Sequence, residues 1–487
     1  MPDRPFTLAR LAGRLGGEMR GDGSILIEDV THDSRRAGPG FLFVAVPGRI
    51  VDGHRFLEDA ARRGAAAALV QDRFSQVAIP QIRVPDTRRV LGVAASMVHG
   101  EPSRSLEVIG VTGTNGKTTV TVMLEAIARA AGRSCGKIGT LGVTLDGVDE
   151  VLSHTTPEGA DLQRLLRRMV DRGVSMVAME VSSHALALSR VEGVSFSVAA
   201  FTNLSQDHLD FHGNMEDYYL AKASLFDGRA AVHVIDVTTA AGRRLARSAT
   251  GPVVTVGRGP GHEVSINSPE PDLSRAGFRC RIGGREVTLK VRPGGLHNIH
   301  NAAVAAACAQ QVGIGFGPIR EGLAAMTGVR GRLDPVDMGQ PFQVLVDYAH
   351  SPEAVESVVR TARAHSRGSV IVVVGGAGDR DATKRPLLGA AAARADLAVI
   401  TSDNPRSEDP GSLVEQVVAG AWDGRARVLA EVDRQAAIRL AIDHASPGDV
   451  VLILGKGHET YQDFGTRVVP FDDREVAASW LAARPGQ

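Results

Sequence analysis

The sequence has few cysteines, few aromatic residues and no excess of charge of either sign. The three cysteines, Cys135, Cys280 and Cys308, are far apart and form no Cys-x-x-Cys pair, which argues against a disulfide framework or a zinc site. Lys+Arg and Asp+Glu both number 55, so we expect neither nucleic acid nor an anionic membrane as the main partner. No apolar run reaches the roughly 18 residues of a membrane-spanning helix. Residues Met1–Arg4 lack the plan of a signal peptide. These features predict a cytoplasmic protein.

Lysine is also scarce, with six copies among 55 basic residues. Arginine cannot replace lysine where a compact ammonium or a neutral amine is needed. Several of the remaining lysines fall inside the motifs described below, so they are candidates for specific roles. The six are Lys117, Lys137, Lys222, Lys290, Lys384 and Lys456.

The length and pattern predict an α/β protein of three domains. Hydrophobic residues are 43% and charged residues 23% of the 487, as in soluble globular proteins, and the length suggests about three domains. We place a small N-terminal α/β domain at residues 1–104. A central P-loop-type domain with a mainly parallel sheet follows at 105–334, and a Rossmann-like doubly wound domain follows at 335–487.

Short apolar runs bounded by polar clusters predict the strands of the sheets. In the first domain we also expect an Ala-rich helix around Phe56–Ala67, and a linker at Glu101–Ser105. In the third domain almost every strand leads directly into a polar cluster, which places ligands beyond the carboxyl ends of the strands. The predicted strands are Leu106–Thr112, Met176–Val181, Val198–Phe201, Val344–Val346, Val370–Val374, Leu397–Ile400 and Val450–Leu454, with a hairpin over Gly277–Val291.

A glycine-containing loop between a strand and a helix predicts a phosphate site. The helix is expected from Val120 to about Ala131, and its N-terminus and the loop N–H groups suit an anion. Lys117 can reach the β- and γ-phosphates and Thr118 can hold Mg²⁺. The loop is shorter than G-x-x-x-x-G-K-[ST], but its order of strand, loop, Lys, Thr and helix favours a nucleotide site over a ligand-free turn. The loop is Gly113, Thr114, Asn115, Gly116, Lys117, Thr118 and Thr119.

Two further polar segments follow buried strands of the central domain. Glu180 ends an apolar strand and is followed by Val181–His184, which is where a metal-binding carboxylate of such a domain belongs. The segment Thr202–Gly213 holds two histidines and two aspartates within six residues. Spacing alone does not decide which of these side chains is a ligand.

These segments resemble the Mur ligases, the ATP-dependent amide-bond-forming enzymes of peptidoglycan assembly. The resemblance covers essentially the whole chain. It implies that Glu180 and His208 bind Mg²⁺ together with Thr118, and that Lys222 is carried as a carbamate (N6-carboxylysine). Carbamylation turns an ammonium into an anionic oxygen ligand, which suits a hard cation.

The resemblance extends to the segments around the nucleotide. Gly295–Asn301 is similar to the family segment near the adenine, with His297 in place of the usual aromatic residue and His300 in place of the usual Tyr. Gly331-Arg332 and Asp347–His350 resemble the segments through which the third domain reaches ATP. The residues implied in ATP binding are Asn301, Arg332, Asp347 and His350.

The third domain carries the segments that choose the amino acid. Asp403-Asn404-Pro405-Arg406 resembles the signature of family members that add meso-diaminopimelate. Diaminopimelate differs from lysine by a second carboxylate, which two arginines can clamp in bidentate fashion. Glu459 and the Gly455 carbonyl can take the distal ammonium. The residues implied in this site are Arg380, Asp403, Asn404, Arg406, Gly455 and Glu459.

The UDP-linked substrate is expected to span the first two domains. The segments around Ser34 resemble the family's uridine-binding domain, and Thr155-Thr156-Pro157 resembles the segment that holds the muramoyl peptide. His154 stands where Asn is usual, and Leu188 where some members have Gln. The residues implied in this site are Ser34, Thr155, Thr156, Ser182 and Arg190.

The implied reaction uses ATP and Mg²⁺ to join meso-diaminopimelate to the D-glutamate γ-carboxylate of UDP-N-acetylmuramoyl-L-alanyl-D-glutamate through an acyl phosphate. Candidate groups for accepting the amine proton are His208, His184 and the Lys222 carbamate. Lys117, Glu180, His208 and Lys222 are the expected catalytic residues, in a monomer that inserts into no membrane. The alternatives are an L-lysine-adding relative, folylpolyglutamate synthetase, or a P-loop protein whose nucleotide only switches its conformation.

Overall fold

The computed structural model describes residues 6–48, 51–145, 148–422 and 424–483. Residues 1–5, on which the expectation about a signal peptide rests, lie outside these ranges. Sheets of five, eleven and six strands follow one another along the chain, which confirms the predicted α/β class and the order of its three units. In the described part of the chain, no helix has both the length and the apolar character needed to span a membrane.

The N-terminal domain is a five-stranded sheet in the order β2-β7-β6-β5-β4, with β2 antiparallel to its neighbour and the others parallel. Apolar side chains from both faces of this sheet, such as Leu42 on one face and Phe43 on the other, are fully buried. Its elements are β1 (Phe6–Thr7), α1 (Leu8–Leu15), β2 (Glu18–Arg20), β3 (Leu26–Ile27), β4 (Asp29–Thr31), β5 (Phe41–Val44), α2 (Leu57–Arg62), β6 (Ala67–Gln71), β7 (Gln81–Val84) and α3 (Thr87–Val98).

One predicted helix of this domain is too long. The expected helix over Phe56–Ala67 ends at Arg62, and Gly64 then adopts a φ of +90°. Ala67 begins strand β6, whose side chains are buried between parallel neighbours. Alanine is a good helix former, but burial in the sheet overrides that local preference.

The central domain is built on a block of parallel strands, β9-β12-β8-β13-β14-β15-β16, with antiparallel strands at both ends. The predicted hairpin forms one of these ends. The elements are β8 (Glu107–Thr112), α4 (Lys117–Ala130), β9 (Cys135–Gly139), β10 (Gly142–Leu145), β11 (Val148–Glu150), α5 (Gly159–Asp171), β12 (Met176–Glu180), α6 (Ser183–Ala187), β13 (Phe196–Phe201), α7 (Leu209–His212), α8 (Met215–Ala223), β14 (Ala230–Asp236), α9 (Ala240–Ser248), β15 (Val253–Arg258), β16 (Val264–Glu270), β17 (Ala276–Ile282), β18 (Arg285–Val291), α10 (Leu296–Gln311) and α11 (Phe316–Ala325).

Both faces of the central sheet are covered by helices. Ile109 and Val111 of β8 pack with α4, α10 and α11, whereas Val108 on the other face packs with α5. Strands buried on both faces need apolar side chains at successive positions. This is why their apolar runs were visible in the sequence.

The C-terminal domain is a six-stranded sheet in the order β19-β20-β24-β21-β22-β23, parallel except for β19. Helices α12, α13 and α14 cover one face, and α15 and α16 the other, which confirms the doubly wound architecture. The elements are β19 (Asp334–Pro335), β20 (Gln343–Asp347), α12 (Pro352–His365), β21 (Val370–Gly376), α13 (Lys384–Ala392), β22 (Leu397–Ser402), α14 (Pro410–Ala419), β23 (Arg427–Ala430), α15 (Arg434–Asp443), β24 (Val450–Leu454), β25 (Tyr461–Asp463), β26 (Val468–Pro470) and α16 (Asp473–Ala483).

The predicted boundary between residues 334 and 335 falls inside β19, which pairs with the C-terminal sheet. Both predicted boundaries stay predictions. The segment proposed as the first linker, Glu101–Ser105, forms a short 3-10 turn over Pro102–Ser105. It leads directly into β8 of the central domain.

Ion pairs fix the N-terminal domain on helix α5 of the central domain. The Arg164 guanidinium donates to both carboxylate oxygens of Asp29, at 2.8 and 2.9 Å. Arg88 of α3 donates to Glu158 at 2.5 Å, just before α5 begins. A bidentate arginine–carboxylate pair sets orientation as well as distance, so the N-terminal domain has a defined position beside the central sheet.

Candidate functional site

A cavity of about 780 Å³ lies between the central and C-terminal domains. It is lined by the loops that follow β8, β12 and β13 in the central domain and β21, β22 and β24 in the C-terminal domain. Ligands of parallel α/β sheets bind beyond the carboxyl ends of the strands. Here two such edges face one another across a single cavity.

The predicted phosphate loop forms the floor of the cavity on the central side. Helix α4 begins at Lys117, three residues before the predicted start at Val120. Gly116 has a φ of +90°, and a Cβ there would collide with the Asn301 amide. Glycine is therefore required at this point both for backbone conformation and for space. The loop residues Thr114, Asn115, Gly116, Lys117 and Thr118 line the cavity.

The ammonium of Lys117 lies within the curve of this loop. It donates to the carbonyls of Gly113 and Thr114, both at 2.9 Å. Burial lowers the pKa of Lys117, while the nearby carboxylates of Glu180 and Asp207 act in the opposite direction. The arrangement places one cation among the N–H groups at the start of a helix, where an anion is favoured.

Glu180 ends β12 and is almost fully buried. Its Oε1 accepts a hydrogen bond from the Thr140 amide at 2.8 Å, and its Oε2 accepts from the Thr140 hydroxyl at 3.1 Å. Each carboxylate oxygen has two lone pairs, so one remains on each for a cation. Thr118 lines the same cavity, with its side chain buried. Carboxylate and hydroxyl oxygens are hard ligands of the kind that Mg²⁺ takes.

Two histidines line the same cavity as Glu180. The ring centroids of His184 and His208 are 4.7 Å apart, and both rings line the cavity. Burial lowers the pKa of His208 to about 3 and that of His184 to about 4. Both rings are therefore neutral near pH 7. Across the described ranges, no group of three or more His, Cys, Asp and Glu side chains is gathered closely enough to hold a metal ion.

Lys222 of α8 lies behind the phosphate loop, outside the lining of the cavity. Its side chain is 1% exposed, its Nζ donates to the Gly113 carbonyl at 2.9 Å, and the ammonium lies 4.5 Å from the centroid of the Tyr218 ring. Burial, aided by the positive charge of Lys117, holds the pKa of Lys222 well below its ordinary value. Burial thus favours the neutral amine of Lys222, which is the nucleophilic form of lysine and the form that carbamylation requires.

Of the residues implied in ATP binding, some line the cavity and others lie behind its lining. Asn301 packs against Gly116 and donates to Asn298 Oδ1 at 2.9 Å. Arg332 lines the cavity with its guanidinium 4.8 Å from the centroid of the Tyr348 ring. His350 also lines the cavity.

Asp347, the fourth residue implied around the nucleotide, is not among the residues that line the cavity. Its two carboxylate oxygens accept hydrogen bonds from the amides of Leu333 and Ala349, at 2.7 and 2.8 Å. The side chain thus fastens the chain that enters the C-terminal domain to the end of β20. The two histidines that depart from the family pattern are also engaged: His300 lies 3.0 Å from Asp236 Oδ2, and His297 Nε2 accepts from Asn298 at 3.1 Å.

The residues implied in muramoyl-peptide binding adjoin Glu180. Thr155, Ser182 and Arg190 line the cavity. Thr156 is buried behind them, where its hydroxyl donates to the Glu180 carbonyl at 2.9 Å. Ser34 is buried in the N-terminal domain, away from the cavity lining.

All six residues implied in diaminopimelate binding line the cavity on the C-terminal side. Arg406 has a φ of +51°, and its Nη1 donates to the Gly378 carbonyl at 2.5 Å. Arg380 is half exposed and lies 3.5 Å from Asp210 of the central domain. The structure therefore brings the loops after β21, β22 and β24 to one place. The six are Arg380, Asp403, Asn404, Arg406, Gly455 and Glu459.

Sequence analysis missed several residues of this site. Lys384 donates to Asp207 across the cavity at 2.8 Å, and Gln206 donates to Asp381 at 3.1 Å. Lys456 lies directly behind the C-terminal loops. The scarcity of lysine was the available signal for Lys384 and Lys456, but nothing in the sequence indicated their partners.

Comparisons with known proteins place the chain among the enzymes it resembles. Three family models match it: "Mur ligase family, catalytic domain" over residues 26–99, "Mur ligase middle domain" over 111–309, and "Mur ligase, glutamate ligase domain" over 331–457. A relative from Geobacillus thermodenitrificans (strain NG80-2) is 44% identical over 93% of this chain and 94% of its own length. The chain belongs to the Mur ligase family.

Two relatives and one solved structure have the same enzyme name. The Geobacillus protein is named UDP-N-acetylmuramoyl-L-alanyl-D-glutamate–2,6-diaminopimelate ligase. A protein of that name from Streptomyces coelicolor (strain ATCC BAA-471 / A3(2) / M145) is 44% identical and covers 98% of this chain and 97% of its own length. A solved structure of an enzyme of that name is 28% identical, with a TM-score of 0.72 and 99% of each chain covered. This Mur ligase therefore shares its full length and three-domain arrangement with these proteins.

Proposed function

We propose that this Mur ligase adds meso-diaminopimelate to the D-glutamate γ-carboxylate of UDP-N-acetylmuramoyl-L-alanyl-D-glutamate, using ATP. One observation carries the proposal. A single cavity joins a phosphate loop, the segment that ends at Thr155 and an arginine- and carboxylate-bearing pocket. Those are the three binding regions that such a reaction needs. The names of the relatives support the same assignment.

In the first step ATP phosphorylates the γ-carboxylate, which gives an acyl phosphate and ADP. The loop N–H groups and Lys117 stabilise the charge that develops on the transferred phosphoryl group. Thr118, Glu180, His208 and Lys222 as its carbamate would hold Mg²⁺. When bound, that ion neutralises phosphate charge.

In the second step the amine at the L-centre of diaminopimelate attacks the acyl phosphate carbonyl, and phosphate leaves. The amine must be neutral to attack and must lose a proton afterwards. His184 lines the cavity and is not among the groups that would hold Mg²⁺, so it is the candidate acceptor of that proton. Arg380 and Arg406 bind the distal carboxylate, and Glu459 binds the distal ammonium.

We further propose a cytoplasmic monomer. The three cysteines are free, which supports a reducing compartment. Gel filtration with light scattering measures the mass, and we expect that of one 51.3 kDa chain.

Phosphate release from ATP tests the function directly. The purified chain is supplied with the UDP-linked dipeptide and Mg²⁺, and release is compared with meso-diaminopimelate, with L-lysine and with neither. We expect release that needs both the peptide-nucleotide and diaminopimelate. A site that pairs with a substrate carboxylate can reject the analogue lacking it by a factor of about 10⁴.

The three outcomes separate the alternatives. Equal or faster release with L-lysine would keep the ligase and replace its amino acid. Release that is indifferent to both the peptide-nucleotide and the amino acid would remove the ligase assignment and favour a nucleotide switch. Synthesis with a folate substrate in place of the peptide-nucleotide would favour folylpolyglutamate synthetase.

A further inference from the structure

Lys456 is a fully buried lysine directly behind the amino-acid pocket. Its exposure is 0%, and it is not among the residues that line the cavity. Its Nζ donates to Asn404 Oδ1 at 2.9 Å and to Glu459 Oε2 at 3.0 Å, and it lies 5.5 Å from the centroid of the Tyr461 ring. Both hydrogen-bond acceptors belong to residues that do line the cavity. Lys456 therefore acts on the pocket only through them.

Lys456 helps to fix which way the Asn404 amide points. Asn404 Oδ1 also accepts from the Asp463 backbone amide at 3.0 Å. Lysine and a backbone N–H are donors only, so both require the oxygen of Asn404 on their side. Its Nδ2 then points the other way and donates to Glu459 Oε2 at 2.9 Å.

This arrangement decides what the pocket presents to a ligand. One hydrogen of Nδ2 is used by Glu459, and the second remains to donate. Glu459 Oε2 accepts from Lys456 and Asn404, so Oε1 is the oxygen that remains to accept. The pocket therefore offers an amide donor, which suits a carboxylate, beside a carboxylate oxygen, which suits an ammonium.

We propose that Lys456 is a positioning residue that sets the amino-acid preference of the ligase. By holding Asn404 Oδ1 away from the cavity, it makes the pocket favour a distal centre that carries both a carboxylate and an ammonium over one that carries an ammonium alone. The inference rests on the proposed function. An amide turned the other way would place its oxygen against the substrate carboxylate, which repels it.

Two substitutions separate orientation from charge. Lys456→Met removes the donor and the charge at similar length, whereas Lys456→Gln removes the charge and keeps a donor for Asn404 Oδ1. Lys290→Met is the matched control, because Lys290 is an exposed residue of β18. Steady-state phosphate release is measured for each variant with diaminopimelate and with L-lysine, together with the KM values for ATP and the UDP-linked dipeptide.

We expect the KM for diaminopimelate to rise about 10- to 100-fold in Lys456→Met, the range that one hydrogen bond to a charged group supports. The preference for diaminopimelate over lysine should fall by a similar factor. The KM values for ATP and for the dipeptide should stay within about twofold of the parent. Lys456→Gln should keep most of the preference, and Lys290→Met all of it.

An unchanged diaminopimelate-to-lysine ratio in folded Lys456→Met would overturn the inference. A similar rise in the KM of every substrate together with a fall in kcat would also overturn it, since that pattern indicates general damage. If Lys456→Met does not fold, Asn404→Asp replaces the donor with an acceptor while Lys456 stays, and a retained preference there would also overturn it. If the parent chain itself shows no diaminopimelate-dependent release, the proposed function has failed instead.

Discussion

The ion pair between Lys384 and Asp207 joins the C-terminal domain to the central domain across the cavity. Lys384 Nζ lies 2.8 Å from Asp207 Oδ1, and the two side chains are 14% and 9% exposed. Burial tends to raise the pKa of Asp207, but His350, His208 and Lys384 together hold it well below its ordinary value. The carboxylate is therefore ionised at any pH at which the enzyme is assayed. Lys384→Met removes the cation and keeps most of the length of the side chain.

The expected magnitude follows from the burial of the pair. Exposed ion pairs contribute about 0.2–1 kcal/mol, and removing one partner of a buried pair costs about 3–5 kcal/mol. With most of both side chains covered, we expect a coupling of about 2–3 kcal/mol, or roughly 30- to 150-fold in a rate or equilibrium constant. Because the partners lie on different domains, the loss should lower the fraction of enzyme in which the two domains enclose the cavity. The apparent affinity for substrate falls in proportion to the fraction of enzyme that remains in this closed arrangement.

A double-mutant cycle measures this coupling. The kcat/KM values of Lys384→Met, Asp207→Asn and the double variant are compared with that of the parent, and the non-additive part is the pair's contribution. The control is the pair Arg244–Glu216, which lies within the central domain with both side chains about half exposed. Its cycle should give less than about 1 kcal/mol. Small-angle scattering should give a larger radius of gyration for Lys384→Met than for Arg244→Met.

One result would refute the reasoning. Lys384 also lines the cavity, so it has a second possible role in direct contact with substrate. In that case Lys384→Met would reduce kcat/KM equally in the presence of Asp207 and of its Asn variant. A coupling below about 0.5 kcal/mol, the limit within which independent sites add, would show that the ion pair does not hold the domains together.

Three further predictions concern other parts of the site. Arg434 and Asp473 form a fully buried pair, so Arg434→Met should lower the free energy of urea unfolding by about 3–5 kcal/mol. Burial lowers the pKa of His458 from 6.5 to about 4. The folded chain thus binds this proton less tightly than the unfolded chain, and stability present above pH 6.5 is lost as pH falls toward 4. The melting temperature of His458→Gln should fall less over this window than that of His365→Gln, an exposed control. Gly116→Ala should raise the KM for ATP at least about tenfold, because strain at positive φ of about 1–3 kcal/mol adds to a collision.

The sequence predicted the strands of the sheets more closely than the helices. Strand β24 was predicted over Val450–Leu454 and is found there, and the hairpin of β17 and β18 differs from its prediction by a single residue at one end. Strand β24 is covered on both faces, so its sequence is a continuous apolar run. Strands β17 and β18 are joined by a short turn at Gly283-Gly284, which is a typical hairpin sequence. The helix expected over Phe56–Ala67 failed because alanine suits both a helix and a tightly packed strand.

The candidate site was predictable as a set of loops but not as a set of contacts. Because parallel strands place their carboxyl ends at one edge, the clusters at Arg380, Asn404 and Glu459 were expected to meet, and all three line one cavity. The hydrogen bond from Lys456 to Asn404 and the pair Arg434–Asp473 join residues far apart in sequence. No local pattern records such partners, because they depend on how the strands and helices of the C-terminal domain pack together.

The scarcity of lysine acquires a physical meaning from these contacts. Four of the six lysines surround the cavity, and two of them, Lys222 and Lys456, meet conditions that arginine cannot satisfy. Lys222 is buried without an anionic hydrogen-bond partner among the described residues, and burial favours its neutral amine, whereas a guanidinium stays charged. Lys456 has two hydrogen-bond acceptors and one ring around it, and the five donors of a guanidinium would leave buried N–H groups unpaired. In a chain that supplies 49 of its 55 cations as arginine, these two buried lysines thus mark places where the compact ammonium or its neutral amine is needed. The four are Lys117, Lys222, Lys384 and Lys456.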